Sequence, residues 1–326
     1  MDLEKLKRRM KGVSVVQVTP FNADGNLDLT GMGANTRWLA ERAVGKDFIF
    51  TPVGSTGEFY AMSQEECKAA IKLVAEETEG RAVVIAGAGR AGTPETIKMC
   101  QYAQSVGADG AQVILPYYHI PEEEGMYLHY KKLAESVDKD FGIMIYNNPA
   151  VSGSWINPAL MGRLSKIPNI IAVKENGPFI LSYYAMRRAV EPDDMAILCG
   201  LGEIMYSFQA LYGCAGIVSS TANFAPDLSY SIYEAGAARD FDVLAERVKH
   251  IEPFFNLRRR MEESHGPHTG FGGAGGATAG NMFISVVKSA MDMIGLCGGK
   301  VRLPLIELTE RDKIEVRETL RTMGLL

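Results

Sequence analysis

The chain has 326 residues, of which 47% are apolar and 22% charged, with a formal net charge of −5. That length carries one large domain or two ordinary ones. The acidic balance argues against nucleic-acid and anionic-membrane partners, since both demand a basic face. No apolar run long enough to span a membrane and no signal-peptide pattern occurs, so a cytoplasmic protein is expected. The cysteines, at 67, 100, 199, 214 and 297, are odd in number and lack C-x-x-C pairing, and read as reduced, buried thiols. The basic runs KLKRR (5–9) and LRRR (257–260) read as solvated helix faces.

In chain order, β-branched apolar runs at 13–20, 47–53, 82–89, 110–116, 142–149, 170–176, 195–201 and 215–222 predict strands. Amphipathic stretches separate them. The segment 63–78 opens on Ser63 with Glu66 three residues on, a capping box, and Pro94 marks the start of another helix. Eight such strand–helix units predict a (β/α)8 barrel, an α/β TIM barrel, over residues 1–237. Residues 238–326 are helical in character and predict a C-terminal extension. The glycine-rich segment 265–280 interrupts it and reads as a loop, with a lid or an interface as possible roles. Its G-x-G-x-x-G string follows no strand, and His265 and His268 are parted by Gly and Pro, so neither a dinucleotide nor a metal is expected there.

In such a barrel, chemistry sits at the C-terminal ends of the strands. Those positions hold one primary amine, several hydroxyls, a tyrosine and almost no carboxylates or histidines, a mixture that disfavours metal hydrolysis and a Ser-His-Asp triad. It suits covalent amine catalysis. Lys174 ends the sixth apolar run, and in a mostly apolar barrel mouth its charged form would be disfavoured, leaving a nucleophile towards a ketone. Alternation gives it the parity of Ala172 and Ile170, pointing inward. By position alone, a lysine reaching solvent or paired with Glu175 stands equally open. The turn Gly54-Ser55-Thr56-Gly57 exposes backbone N–H groups suited to a carboxylate, and Tyr146 could carry a proton if its hydroxyl meets Ser55 or Thr56.

At these residues the sequence resembles the N-acetylneuraminate lyase / dihydrodipicolinate synthase superfamily of Schiff-base-forming class I enzymes. The likeness runs from VTPFNADGNLD (18–28) to VRLPLIELTE (301–310), with GSTGE, PYY, YNNP, VKE and GIVSSTAN in order. The resemblance implies Lys174 as the Schiff-base lysine, Tyr146 as the proton-relay tyrosine, and Ser55 and Thr56 as the hydroxyl pair holding the keto-acid carboxylate. It implies Tyr118 as a tyrosine reaching a neighbouring subunit's site, and a homotetramer built as a dimer of dimers. Dihydrodipicolinate synthases carry an arginine shortly after the Y-N-x-P run, where this chain has Val151, which can make no bidentate contact with a carboxylate. The lyase and 2-keto-3-deoxy sugar acid branch has an aliphatic residue there, and its G-Y-D-E run resembles GLGE (200–203), with Gly202 at the aspartate position. The chain is therefore expected nearer that branch than the true synthases. GEFYAMS (57–63) and ISVVKSAMDMIGL (284–296) also look like stretches of 5-dehydro-4-deoxyglucarate dehydratases.

The expected function is a lysine Schiff-base aldolase that cleaves or forms a C–C bond in a 2-keto-3-deoxy sugar acid, with pyruvate as product or donor. A dehydratase using the same Schiff base is the alternative, and a non-catalytic keto-acid-binding protein the alternative from another class. Glu203, Ser220, Asn176 and His119 are candidates for the hydroxylated tail, and Val218 and Gly200 complete the expected substrate-binding set. No cofactor is expected.

Overall fold

Eight runs rich in Val, Ile and Ala, buried on both faces, form the strands β1 Gly12–Val16, β2 Phe48–Thr51, β3 Val83–Gly87, β4 Gly110–Ile114, β5 Gly142–Asn147, β6 Ile170–Glu175, β7 Ala196–Cys199 and β8 Gly216–Ser219. In this computed structural model, which describes residues 1–265 and 282–326, every strand pairs in parallel with the next. Pairing of β1 with β8, Val13 opposite Ile217, closes the barrel. The strands stop short of the predicted runs at their C-terminal ends. There the chain turns outward to build loops, because residues past the barrel rim have no neighbouring strand to bond.

Three apolar clusters hold the fold. Inside the barrel, Val16, Ile49, Val83, Ile85, Met144, Ala172, Leu198 and Val218 pack together, with Leu6 and Met10 of the N-terminal segment. A larger cluster lies between the strands and the surrounding helices. The third joins Val18, Phe224 and Ala225 to Phe254, Leu257, Met261, Val286 and Val316 of the C-terminal helices. Full burial of such side chains contributes about 1.5–3 kcal/mol each, which fixes the extension against the barrel.

The predicted parity of β6 holds only in part. Ala172 belongs to the interior cluster, but Ile170 packs outward and Ile171 takes the inner place. The pairing with β5 slips there, since Ile143 faces Ile170 while Met144 faces Ala172. One extra residue in a strand reverses the faces on either side of it. Beyond the slip, Ala172 and Lys174 keep the expected alternation.

Local signals in the sequence act as expected. Ser63 and Glu66 form a reciprocal capping box on the helix Gln64–Thr78, and Pro94 stands in the first turn of the helix Thr93–Ser105. The cysteines are unpaired, four buried and Cys297 half-buried. Among the described residues no helix is long and apolar enough to cross a membrane. The glycine-rich segment and His268 lie outside the described residues; His265 ends the helix Glu252–His265, with its Nε2 3.1 Å from the Asp312 carboxylate.

The helix Glu123–Glu135 carries a titration the sequence did not announce. His129 is buried, with Nδ1 2.9 Å from Thr93 Oγ1 and Nε2 without a partner among the described residues. Burial pushes its pKa down to about 4 from an ordinary 6.5. As pH falls below the ordinary value, the unfolded chain takes up a proton that the folded chain refuses, so stability declines until the folded group protonates. The loss expected between about pH 6.5 and pH 4 is up to ~3 kcal/mol. Urea unfolding of His129→Gln at both pH values should show that part of the slope gone; an unchanged slope would count against the assignment.

Candidate active site

The mouth at the C-terminal ends of the strands opens into a cavity of about 530 Å³. Lys174 and Tyr146, neighbours in register on β6 and β5, both enter it from the barrel wall. The Lys174 side chain is 5% exposed, and its Nζ lies 3.8 Å from the centroid of the Tyr146 ring. Glu175 points to the opposite face. There it accepts hydrogen bonds from Asn147 Nδ2 at 2.7 Å, Trp155 Nε1 at 3.0 Å and Gly177 N at 2.6 Å. This closes the question that position alone leaves open: the lysine neither reaches bulk solvent nor pairs with Glu175. The amine is buried in the cavity, where an unused charge would be costly.

Tyr146 is held at its hydroxyl. Asn148 Nδ2 donates to it at 2.8 Å. Burial would raise its pKa, but the Lys174 charge, the Asn148 hydrogen bond and a contact with Ser55 outweigh it, and the phenol sits below its ordinary range. A phenol of that kind gives up and regains its proton more readily than a free one.

Opposite lies the loop that follows β2. Its residues Val53 and Glu58 adopt left-handed backbone, with φ of 60° and 55°. Non-glycine residues in that region carry strain of about 1–3 kcal/mol each, so the loop must be held by its surroundings. Gly87 at the end of β3 leaves room for it, because a Cβ there would stand 2.0 Å from the Val53 carbonyl oxygen. Within the loop, Gly57 N and Phe59 N donate to the Gly54 carbonyl, and Glu58 N to that of Ser55. The amides of Ser55 and Thr56 have no acceptor among the described residues, and both residues line the cavity. Two free N–H groups in a turn form a concavity suited to an anion.

The extension secures this loop. Glu58 is wholly buried, and Lys288 of the helix Met282–Met293 lies 2.5 Å from its Oε1. The backbone N–H of Arg302 donates to Glu58 Oε2 at 2.9 Å, while the Arg302 guanidinium grips both oxygens of the capping residue Glu66. That grip holds the Glu66 carboxyl down at about 2.

The structure gathers Ser55, Thr56, Tyr146, Lys174, Asn176, Gly200, Glu203, Val218 and Ser220 around the one cavity. Asn176 is pinned by its donation to the Gly200 carbonyl at 2.9 Å, and only a glycine fits at 200, since a Cβ would lie 1.8 Å from Asn176 Oδ1. Glu203 lines the cavity with one oxygen already engaged, accepting from Ser219 at 2.5 Å and Ser229 at 2.7 Å. Tyr118 and His119 are not brought in. Tyr118 is 80% exposed and stacks edge-on with His119, and Tyr117 lines the cavity instead. Val151 stands at the rim on the short helix Pro149–Ser152.

Sequence reasoning missed Asn148, Lys288 and Arg258. Asn148 lay inside the quoted YNNP. Lys288 lies within ISVVKSAMDMIGL and its partner Glu58 within GEFYAMS, but the two are remote in the chain and nothing in either stretch pairs them. Arg258 was read with LRRR as part of a solvated face. Arg259 and Arg260 are solvated, but Arg258 lines the cavity: it follows the buried Leu257 and precedes Met261 by one turn.

A closed parallel barrel whose mouth holds a buried lysine against a tyrosine, facing free backbone amides, defines a class: (β/α)8 enzymes that carry their chemistry on an amine. The chain belongs to the dihydrodipicolinate synthetase family, whose model it matches over residues 9–263. It is 33% identical to a 4-hydroxy-tetrahydrodipicolinate synthase of Gluconacetobacter diazotrophicus, across 97% of this chain and 98% of that one. Among solved structures it resembles an Acinetobacter baumannii dihydrodipicolinate synthase complexed with pyruvate, at 29% identity and a TM-score of 0.82 over 97% of this chain and 100% of the other. A prophage protein of E. coli K12, of the dihydrodipicolinic acid synthase family and also in complex with pyruvate, is 28% identical with a TM-score of 0.84 over 97% and 99%.

With that membership the chain is a Schiff-base-forming lyase. The expected placement nearer the N-acetylneuraminate lyase and sugar acid branch is overturned, because the family match and the curated relatives are those of the synthase. That expectation leaned on Val151 and on the GLGE run at 200–203. Both lie around the substrate cavity, where a few side chains change what is bound without altering the barrel and lysine on which the family is built.

Proposed function

We propose that the chain catalyses an aldol reaction of a pyruvate-type 2-oxo acid held as a Schiff base on Lys174. The observation that carries this is the buried Lys174 amine, 3.8 Å from the Tyr146 ring and sharing a cavity with the free amides of Ser55 and Thr56. The substrate carboxylate binds those amides and its C2 carbonyl faces Nζ. The amine adds to C2, the carbinolamine loses water, and the iminium draws electrons from C3. Loss of a C3 proton gives the enamine, which attacks the carbonyl carbon of an aldehyde. Tyr146 delivers a proton to the new C4 oxygen, and water returns to C2 to free the lysine. Run backwards, the same steps split C3–C4, with Tyr146 taking the C4 hydroxyl proton.

The product is a 4-hydroxy-2-oxo acid, and a 2-keto-3-deoxy sugar acid is one member of that class. Asn176, Glu203 and Ser220 line the same cavity, which supports assigning them to the tail of the aldehyde partner. The relatives named as synthases, and the homologues solved with pyruvate, support pyruvate as the donor.

Incubation with pyruvate and borohydride, then peptide mass spectrometry, tests the reading. A pyruvate-derived mass on Lys174 is the expected result; folded protein without it would remove the basis for the mechanism.

Tyr118, exposed beside Tyr117 and Ile120, fits a contact between subunits in the proposed dimer of dimers. Sedimentation at micromolar concentration should give a tetramer, and a lone monomer would dismiss that assembly.

A further inference from the structure

Arg258 stands in the helix Glu252–His265, and its guanidinium reaches the same cavity as Lys174. Its Nε is buried with no hydrogen-bond partner, and no ion pair holds the group, among the described residues. Phe255 and Phe283 flank it, with ring centroids 5.3 Å and 4.9 Å from Cζ. Glu262 and Glu203 are the acids that influence it, and Glu203 is already engaged by Ser219 and Ser229. Burial drives the guanidinium below its ordinary range. Arg258 is half-buried overall, but its Nε is shut off from water without a partner, which is costly, and the open space beside it belongs to the cavity.

We propose that Arg258 is a subsite for a carboxylate at the far end of the substrate, so that the ligand carries an anionic group at both ends. This rests on the reading of Lys174 and the Ser55–Thr56 amides as the keto-acid end. The planar fork of donors, confined between two aromatic side chains, matches a planar carboxylate in a bidentate contact. With two acids and no second cation acting on Arg258 among the described residues, a doubly charged phosphate is the poorer fit. The extension would then supply specificity while the barrel supplies the chemistry.

Calorimetric binding of 2-oxoglutarate, 2-oxoadipate and 2-oxopimelate, each against the 2-oxo monoacid of equal chain length, tests this on the wild-type protein without any variant. At least one dicarboxylate is expected to bind about 10- to 100-fold more tightly than its monoacid, the range of a desolvated charge-assisted contact. Arg258→Met should erase that preference while leaving pyruvate binding within about two-fold, and Arg258→Lys should keep part of it. Equal affinity for each wild-type pair, or a preference that survives in Arg258→Met, would overturn the proposal. Borohydride trapping of pyruvate reports separately on Lys174. A dicarboxylate preference without an adduct supports the subsite and sinks the Schiff-base reading; an adduct without a preference does the reverse.

Discussion

Replacing Lys174 by Met should abolish turnover while the protein stays folded. The amine is buried beside the Tyr146 ring, and among the described residues no acid pairs with it: its neighbour Glu175 spends its carboxylate on Asn147, Trp155 and Gly177. Met has nearly the same length and no charge, so it fills the space and removes the cost of a buried amine. Stability should be unchanged or higher by about 1 kcal/mol, the pattern of a site held for chemistry at the expense of the fold. Loss of a covalent nucleophile should lower kcat by about four orders of magnitude or more. No borohydride-trapped adduct should form. Steady-state kinetics beside a urea melt check both halves. Turnover above about one per cent of wild type would mean that another group carries the reaction.

The second large effect is expected far from the chemistry. Lys288→Met leaves Glu58 wholly buried without its cation, and breaking one side of a buried pair costs about 3–5 kcal/mol. The Lys288 ammonium also donates to the Lys300 carbonyl at 2.5 Å, so the segment leading to Arg302 loosens with it. Burial lowers the pKa of Lys288 against the pull of Glu58. Because Glu58 ends the loop that presents the Ser55 and Thr56 amides, activity should fall with stability. The double variant Lys288→Met, Glu58→Gln should recover a good part of the stability, since it removes the stranded charge as well. Urea unfolding of the single and double variants decides it. A loss below about 1 kcal/mol in the single variant would show that the ion pair does not hold the loop.

The barrel was legible because its signals are local. Each strand is a short β-branched run, and the helices between them announce their ends by Ser63 with Glu66 and by Pro94. Lys174 stood out for the same reason, as a charge ending an apolar run whose period of two points it inward. The limits of that logic appear at Ile170 and Ile171. The slip against β5 exchanges their faces, and nothing within β6 alone specifies it. The family placement failed in a related way: Val151 and the short GLGE run are a few positions in the cavity wall and cannot fix a lineage, and the whole-chain match decided otherwise.

By itself, then, the order of residues determined the eight-stranded barrel and placed Lys174, Tyr146 and the hydroxyl loop at the ends of its strands, because backbone period and turn chemistry act over a few residues, while the burial of the amine beside Tyr146 waited on the fold. The tertiary structure alone decided where the extension's cations go. In LRRR three arginines look equivalent, yet the packing of Leu257 and Met261 sends Arg259 and Arg260 to solvent and Arg258 into the cavity. Glu58 and Lys288 likewise meet only when the third apolar cluster seats the C-terminal helices on the barrel. A buried charge takes its meaning from the partner that folding brings to it, and that partner can lie anywhere in the chain.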